Sequence, residues 1–326
     1  MRKFYSNKKI LITGGNGYLA SSIIRLLSGV PCRIQRLDRK GSQWNEAEVS
    51  TGTEVQNVEA DIRNIAEWRS LLLDVDIVFH LAAQTSVHVA NSNPVEDAHI
   101  NVFPMLHMLE TCKKEGVLPV IIFSSTSTVT GLPKSLPVDE KHPDNPLTMY
   151  EVHKSMSESY LKFYTNEGVA KGVILRLTNV YGPGPRSSSA DRGVLNQMIR
   201  KALANEALTV YGKGDFLRDY IYVRDVARAF LFAAAGHQSL QGRHFVIGTG
   251  VGTTITDAFN MVSQRVALRT GKKTPVVHVD PPKIFSPIEA RNFVADSNEF
   301  IRLARWKPEV GLVRGVDLTI DSYMGR

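Results

Sequence analysis

Cysteine is nearly absent: Cys32 and Cys112 are the two in 326 residues. Their spacing matches neither a disulfide framework nor a metal-ligand pattern, and it fits free thiols in a reducing cytoplasm. Long apolar runs are absent too, since none approaches the roughly 20 residues that cross a bilayer. Met1 to Ser6 lacks the apolar core of a signal peptide. No segment is of low complexity, and 43% hydrophobic with 22% charged residues excludes a disordered chain. The net charge of +7 is spread along the chain, with no basic tail and no basic run interleaved with aromatics. Nucleic acid therefore lacks its clustered footprint, and a small anionic ligand suits the mild basic excess. No clustering of metal-ligating residues is visible.

The first half alternates short apolar runs with longer helical patterns. Lys9 to Thr13, Cys32 to Leu37, Val55 to Ala60, Asp76 to Ala82, Val120 to Ser125 and Gly172 to Leu177 read as strands. Tyr18 to Leu27, Asn101 to Lys114 and Tyr150 to Asn166 read as helices. Strands this apolar are buried on both faces, which requires a parallel sheet covered by helices. The alternation predicts an α/β fold, a doubly wound Rossmann sheet over residues 1–178. After that the texture changes. Asn179 to Pro185 is turn-rich and is expected to form no regular element. Shorter elements and prolines at 275, 281, 282, 287 and 308 follow. They predict a smaller lobe over 179–326, with Arg243 to Ile247 able to return to the main sheet.

The chemistry-bearing residues sit at the ends of these strands. Gly14-Gly15-Asn16-Gly17-Tyr18-Leu19-Ala20 follows the first strand and opens the first helix. Gly15-x-Gly17-x-x-Ala20 fits the dinucleotide fingerprint, which tolerates alanine at its third position. The glycines make the turn and admit a pyrophosphate, which rests on the positive end of the helix. Asp38 closes the second strand, where a carboxylate accepts hydrogen bonds from ribose hydroxyls and repels a 2′-phosphate. This favours NAD over NADP, while Arg39 beside it keeps NADP open. Asp61 and Ile62 end the third strand and are candidates to flank the adenine, a solvated turn being the plain alternative.

Tyr150 and Lys154 stand at i and i+4, on one helix face. A phenol with a pKa near 10 is a poor base at neutral pH. An ammonium beside it favours the phenolate and makes a general acid/base suited to a sugar hydroxyl. Ser124 to Thr128 follows the fifth strand, at the carboxyl edge where such sheets bind ligands. His80 sits in an apolar strand and is expected as a packed core residue. His153, on a different helix face from Tyr150 and Lys154, is expected in solvent.

With these motifs in this order, the chain resembles the extended short-chain dehydrogenase/reductase family, in its nucleotide-sugar epimerase/dehydratase group. The resemblance covers nearly the whole chain. It rests on Thr13-Gly14-x-x-Gly17-x-x-Ala20, Asp61-Ile62-Arg63, His80-Leu81-Ala82-Ala83-Gln84, Asn101, Ser124-Ser125-Thr126, Tyr150-x-x-x-Lys154, Leu175 to Gly184, Gly212-x-Gly214 and Arg218 to Ala227. Arg291 to Asp296 and Arg305 to Pro308 complete it. The resemblance implies Thr126, Tyr150 and Lys154 as the catalytic triad, with Lys154 also on the nicotinamide ribose. It implies Gly14, Gly17, Tyr18, Leu19, Asp38, Arg39, Asp61, Ile62, Leu81, Ala82, Ala83 and Asn101 around NAD, together with Tyr150 and Lys154. It implies Thr85, Ser86, Thr126, Asn179, Arg218 and Arg291 around a nucleotide sugar. A plainer alternative makes Asn101 a polar residue at a helix N-terminus and Arg218-Asp219 a surface ion pair.

Departures from the family pattern narrow the reaction. Family 4,6-dehydratases carry Asp-Glu where Ser127-Thr128 stand here, and eliminating water needs those acids. Thr130 stands where the family usually has tyrosine. Ser286-x-x-Glu289 replaces an Arg-x-x-Asp typical of galactose-type epimerases. The expectation is an NAD-dependent nucleotide-sugar epimerase acting at C4 through a 4-keto intermediate, a cytoplasmic homodimer paired through helices of the main domain. A 4-dehydrogenase or 4-reductase uses the same residues. A 4,6-dehydratase and a non-catalytic dinucleotide-binding protein are the weaker readings.

Overall fold

The computed structural model describes residues 1–44, 49–184, 193–281 and 286–325. Its main sheet is built from β1 (Lys9–Thr13), β2 (Cys32–Asp38), β3 (Thr53–Glu59), β4 (Ile77–His80), β5 (Val120–Thr126) and β6 (Lys171–Leu177). Next along the chain come β7 (Asn179–Tyr181), β8 (Leu208–Tyr211), β9 (Leu217–Tyr222), β10 (His244–Ile247), β11 (Gly252–Thr254) and β12 (Val276–Val279). The main sheet has seven strands in the order β10-β6-β5-β4-β1-β2-β3, all parallel. The order reverses between β1 and β4, so a crevice opens there beyond the carboxyl ends of the strands. A helical turn, Arg2–Tyr5, precedes β1, and Tyr5 Oη donates to the Leu231 carbonyl at 2.6 Å.

Each inner strand is apolar on both faces because helices cover both. One face is covered by α1 (Tyr18–Leu27), with Ile23, Ile24 and Leu27 buried against Ile10, Ile12, Ile34 and Phe79. The other is covered by α2 (Ile65–Leu72), α4 (Phe103–Glu115) and α5 (Met149–Asn166), with α3 (Pro94–Asn101) packed on α4 and α5. There Trp68, Met105, Met108 and Leu161 pack on Leu11, Val78, Ile121 and Phe123. Glu151 fastens the first turn of α5, accepting from Leu147 N at 3.0 Å and Thr148 N at 2.9 Å. Thr148 and Glu151 stand in a capping-box arrangement, which starts this helix one residue before Tyr150.

A second core gathers α6 (Val194–Leu203), α8 (Ile255–Thr270) and α9 (Leu312–Tyr323) around β8, β9 and β12. It includes a three-stranded sheet, β11-β9-β7, and a two-stranded one, β12-β8. Here the structure corrects the expectation for Asn179 to Pro185. Asn179–Tyr181 is a strand, parallel to β9 with Asn179 opposite Tyr220. Turn residues dominate that stretch, but its strand partner lies about forty positions on, beyond the reach of local pattern. Pro185, Pro282 and the last residue lie outside the described residues. Between the two cores, α7 (Val223–Ala235) packs on α1. The strand expected to be able to return is β10, which pairs with β6 through His244 opposite Ile174.

Trp306 locks the C-terminal segment to this assembly. Its indole is fully buried, donates to the Asp225 carbonyl at 3.0 Å and lies 5.5 Å from the Phe300 ring, which lies 5.4 Å from Phe245 on β10. Trp306→Ala is expected to cost about 3–5 kcal/mol, the range for truncating a buried aromatic. Chemical denaturation monitored by circular dichroism measures it, and a loss well under 1 kcal/mol would contradict the role.

Candidate active site

Thr13 ends β1 and joins it to β4. Its Oγ1 accepts from Leu81 N and Ala82 N, both at 3.1 Å, and lies 2.9 Å from His80 Nδ1. With two donors already on its oxygen, the hydroxyl donates to His80. Burial, and next the nearby Lys154 charge, push the His80 imidazole down to about 3. It stays neutral, so its unprotonated Nδ1 can accept. His80 is the packed core residue expected, stacked on Phe123 with centroids 5.7 Å apart.

The glycine loop fits against this joint. Gly14 has φ +67°, and a Cβ on it would lie 3.0 Å from the Ala82 backbone. A Cβ on Gly15 would lie 2.5 Å from the Arg36 Cβ. Gly17 opens α1 without a side-chain cap, leaving its first amides for a ligand. Tyr18 reaches the Val180 carbonyl at 3.4 Å, Leu19 and Ala20 are buried, and Gly14 is half-buried. Asp38 accepts from Asn16 N at 3.0 Å, Arg39 N at 2.9 Å and Ser42 Oγ at 3.3 Å, and the Arg39 side chain is exposed. Asp61 holds the exposed Arg63, whose hydrogen bonds keep its carboxyl below the usual range, and Ile62 is buried beneath it. Leu81, Ala82, Ala83 and Thr85 form a half-buried rim. Ser86 is buried and its hydroxyl caps the following helical turn through Val89 N at 3.2 Å.

Tyr150 and Lys154 are both buried on α5, which packs on β5 and on the helical turn after it. The Lys154 ammonium lies 4.3 Å above the Phe123 ring. Thr126 ends β5, half-exposed, with its Oγ1 2.8 Å from that of Thr128. Ser127 and Thr128 supply hydroxyls there and no acid. His153 departs from expectation. It is buried, with Nδ1 2.6 Å from Asp97 Oδ2, because α3 crosses that face of α5 and removes it from water. Asn101 is the last residue of α3 rather than the first of a helix, and its Nδ2 donates to the Gln84 carbonyl at 2.8 Å. Neither Asp97 nor its bond to His153 was readable from spacing, since the two lie on helices 56 positions apart.

Asn179 is half-exposed at the start of β7. Arg218 and Arg291 are buried side by side, and no ion pair joins Arg218 to Asp219. Arg218 Nη2 donates to the Glu289 carbonyl at 2.7 Å and Nη1 to the Arg291 carbonyl. Burial and the neighbouring Arg291 pull Arg218 down to about 10, and burial lowers Arg291. Arg291 Nε is buried with no hydrogen-bond partner. Asp219 instead turns inward, accepting from Thr249 N, Thr249 Oγ1, Gly250 N and Ala295 N. The surface ion pair is excluded.

Residues 10–248 match the model of the NAD dependent epimerase/dehydratase family. The chain belongs to this family. It is thus one of an enzyme family that uses NAD, on the Rossmann fold its sequence predicts. Among relatives, the UDP-glucose 4-epimerase of Mycolicibacterium smegmatis is 29% identical over 322 residues, covering 98% of this chain and 99% of its own. A crystal structure of Thermotoga maritima UDP-glucose 4-epimerase with UDP-glucose is 30% identical, with a TM-score of 0.85, covering 97% of this chain and 99% of the other. Thermus thermophilus UDP-glucose 4-epimerase in complex with NAD is 28% identical, with a TM-score of 0.83 and the same coverage of each chain. No helix of the described residues is long and apolar enough to cross a membrane, and no group of three or more metal-ligating side chains lies together among them.

The buried histidines make stability fall in acid. His80 is depressed from 6.5 to about 3 and His244, chiefly by burial, to about 4. Within those windows the unfolded chain binds protons that the folded chain does not, so stability drops as pH falls below about 6.5. Melting temperatures measured from about pH 7 to about pH 4 should fall for the native protein and fall less steeply for His80→Gln. Equal slopes would mean His80 is not held neutral.

Proposed function

We propose that the protein is an NAD-dependent nucleotide-sugar 4-epimerase. The observation that carries this reading is the burial of Tyr150 and Lys154 one turn apart, on a helix packed against the strand that ends at Thr126. Tyr150 takes the proton of the sugar 4-hydroxyl, and Thr126 hydrogen-bonds the same oxygen. Lys154 stands one turn on, on the same helix face as the phenol. Bound NAD would supply reversible hydride transfer at C4, which allows a 4-keto sugar to be reduced on either face. Gly14, Gly17, Tyr18 and Leu19 cradle its pyrophosphate at the uncapped start of α1. Asp38 faces its adenosine ribose, with Arg39, Asp61 and Ile62 nearby. Leu81, Ala82, Ala83 and Asn101 line the nicotinamide half.

Residues 1–178 with β10 hold the cofactor in this reading, and residues 179–326 hold the sugar nucleotide. Arg218 and Arg291 suit its diphosphate, since they are two adjacent buried guanidinium groups, one with an unpartnered Nε, and the Glu289 carboxylate 3.9 Å from Arg218 pairs with them only at the edge. Thr85, Ser86 and Asn179 complete the pocket. Ser127 and Thr128 disfavour dehydration, for neither can act as the acid or base that removes water.

Two measurements test the chemistry. Mass spectrometry of the nucleotide released from the purified protein should find NAD. Incubation with UDP-, dTDP-, GDP- and CDP-sugars should then invert C4 of one of them with no net NADH. Stoichiometric NADH would instead assign a 4-dehydrogenase, and loss of water a dehydratase. Tyr150→Phe should lower turnover roughly 10²- to 10⁴-fold, the usual contribution of a general acid/base, while retaining NAD. Undiminished turnover would remove Tyr150 from the mechanism.

A homodimer through α4 and α5 completes the proposal. Met149, Val152, Met156, Tyr160 and Phe163 recur at helical spacing on α5, and Met149, Met156 and Phe163 are exposed. Phe103 on α4 and Val95 on α3 are exposed as well. Sedimentation velocity should give twice the chain mass, and Met156→Glu with Phe163→Glu should halve it. A native monomer would refute the pairing.

A further inference from the structure

The enclosed carboxylate of Asp97 joins three segments of the site. Oδ2 meets His153 Nδ1 at 2.6 Å, with the Asp97 side chain fully buried and the His153 side chain 10% exposed. Oδ1 accepts from Gln84 Nε2 at 2.6 Å and from Asn101 Nδ2 at 3.0 Å. The bonds continue outward on every side. Asn101 Nδ2 also donates to the Gln84 carbonyl at 2.8 Å, and Ser157 Oγ, one turn beyond His153, donates to the Asn101 carbonyl at 2.6 Å. Gln84 Nε2 donates to the Ser86 carbonyl at 2.9 Å, and its Oε1 accepts from Ser86 N.

Three donors from three segments thus converge on one buried carboxylate: α5 through His153, the 81–86 loop through Gln84, and α3 through Asn101. Losing any of them leaves a buried polar group unsatisfied, so the three segments are held in a single mutual register. That register has a chemical consequence. His153 immediately precedes Lys154 and follows Tyr150 by three positions, so a shift of His153 along or about the helix axis carries both with it. Gln84 and Ser86 bracket Thr85 and follow Leu81, Ala82 and Ala83. The pair therefore sets where the phenol and the ammonium stand relative to the rim beside which sugar and nicotinamide would meet. A leucine at 153 would fill similar space without fixing that relation.

We propose that Asp97 and His153 form a positioning pair of the active site, which fixes the Tyr150–Lys154 helix against the 81–86 loop. Neither residue touches substrate; they act through Tyr150, Lys154 and Gln84. The proposal rests on the acid/base reading of Tyr150.

The test uses the full-length chain with NAD bound. In ¹⁵N-histidine-labelled protein, the short bond to Asp97 should give His153 a strongly deshielded Nδ1 proton, lost in Asp97→Asn and in His153→Leu. Both variants should keep NAD affinity and lower kcat roughly 10- to 100-fold with little change in KM, as expected when a reacting group moves by about 1 Å. His153→Gln, whose amide can still donate to the carboxylate, should recover most of that loss. The double variant Asp97→Asn with His153→Leu should lose no more than the worse single one, since the two act as a unit. Folded single variants with unchanged kcat would overturn the proposal. So would parallel losses of melting temperature, NAD affinity and turnover that His153→Gln does not repair, for those mark a purely structural pair. A native protein that turns over no sugar nucleotide would refute the acid/base reading instead. The positioning is then decided without substrate by the ¹³C ring resonance of Tyr150, assigned with Tyr150→Phe. It shifts on Asp97→Asn if the pair holds the helix and stays in place if it does not.

Discussion

One hydroxyl holds the crevice together. Thr13 Oγ1 takes two backbone amides from the chain leaving β4 and offers its proton to His80. The geometry works only while His80 is neutral, and burial enforces that. The backbone ladder holds β1 to β4 as far as His80, and beyond it this hydroxyl takes over, fixing Leu81 and Ala82 where the sheet's order reverses. Gly14 packs on the Ala82 backbone that this hydroxyl fixes, next to the start of α1. Much of the proposed cofactor cradle is a consequence of one side chain bonded on three sides.

The protein buries charge freely around that crevice, and each instance is compensated in a different way. Arg176 is 1% exposed yet grips Glu158 at 2.6 Å and Asp144 at 2.6 Å, with Ser125 donating to the same Glu158. This cluster ties β5 and β6 to α5 from the side away from Asp97. Asp219 is satisfied by backbone amides and one hydroxyl. Arg218 and Arg291 are satisfied only in part, by carbonyls, and they repel each other. Among the described residues the one carboxylate in ion-pair range, Glu289, stands 3.9 Å from Arg218 and is half exposed, so two buried like charges share a weak counter-charge, an arrangement more apt for binding than for stability.

The parallel sheet, its strand sequence and the glycine loop were legible because each depends on local pattern: apolar runs for doubly covered strands and glycines at a turn. Strand bounds shifted by a residue or two, as with β4, which stops at His80 rather than Ala82. What could not be read locally came from distant partners. Asn179–Tyr181 is a strand because β9 lies beside it. His153 is buried because α3 crosses above it, and Arg218 and Asp219 turn inward because the segment around 289–295 folds over them. Residue type suggested water for His153, as the plainer alternative did for Arg218 and Asp219, and tertiary packing overrode it.

The seventh strand of the main sheet carries a consequence for biogenesis. β6 is flanked by β5 at once, but its other edge waits for β10, whose His244 pairs with Ile174. Until the ribosome has delivered both β7–β9 and α7, that edge presents unpaired amides and carbonyls beside apolar Val173 and Leu175. Nascent chains of intermediate length therefore expose an adhesive ladder. Cleavage after residue 178 would leave the same ladder open, since the strand that covers β6 lies beyond that point. The strand that covers β6 comes from beyond the middle of the chain, a contact of high sequence separation.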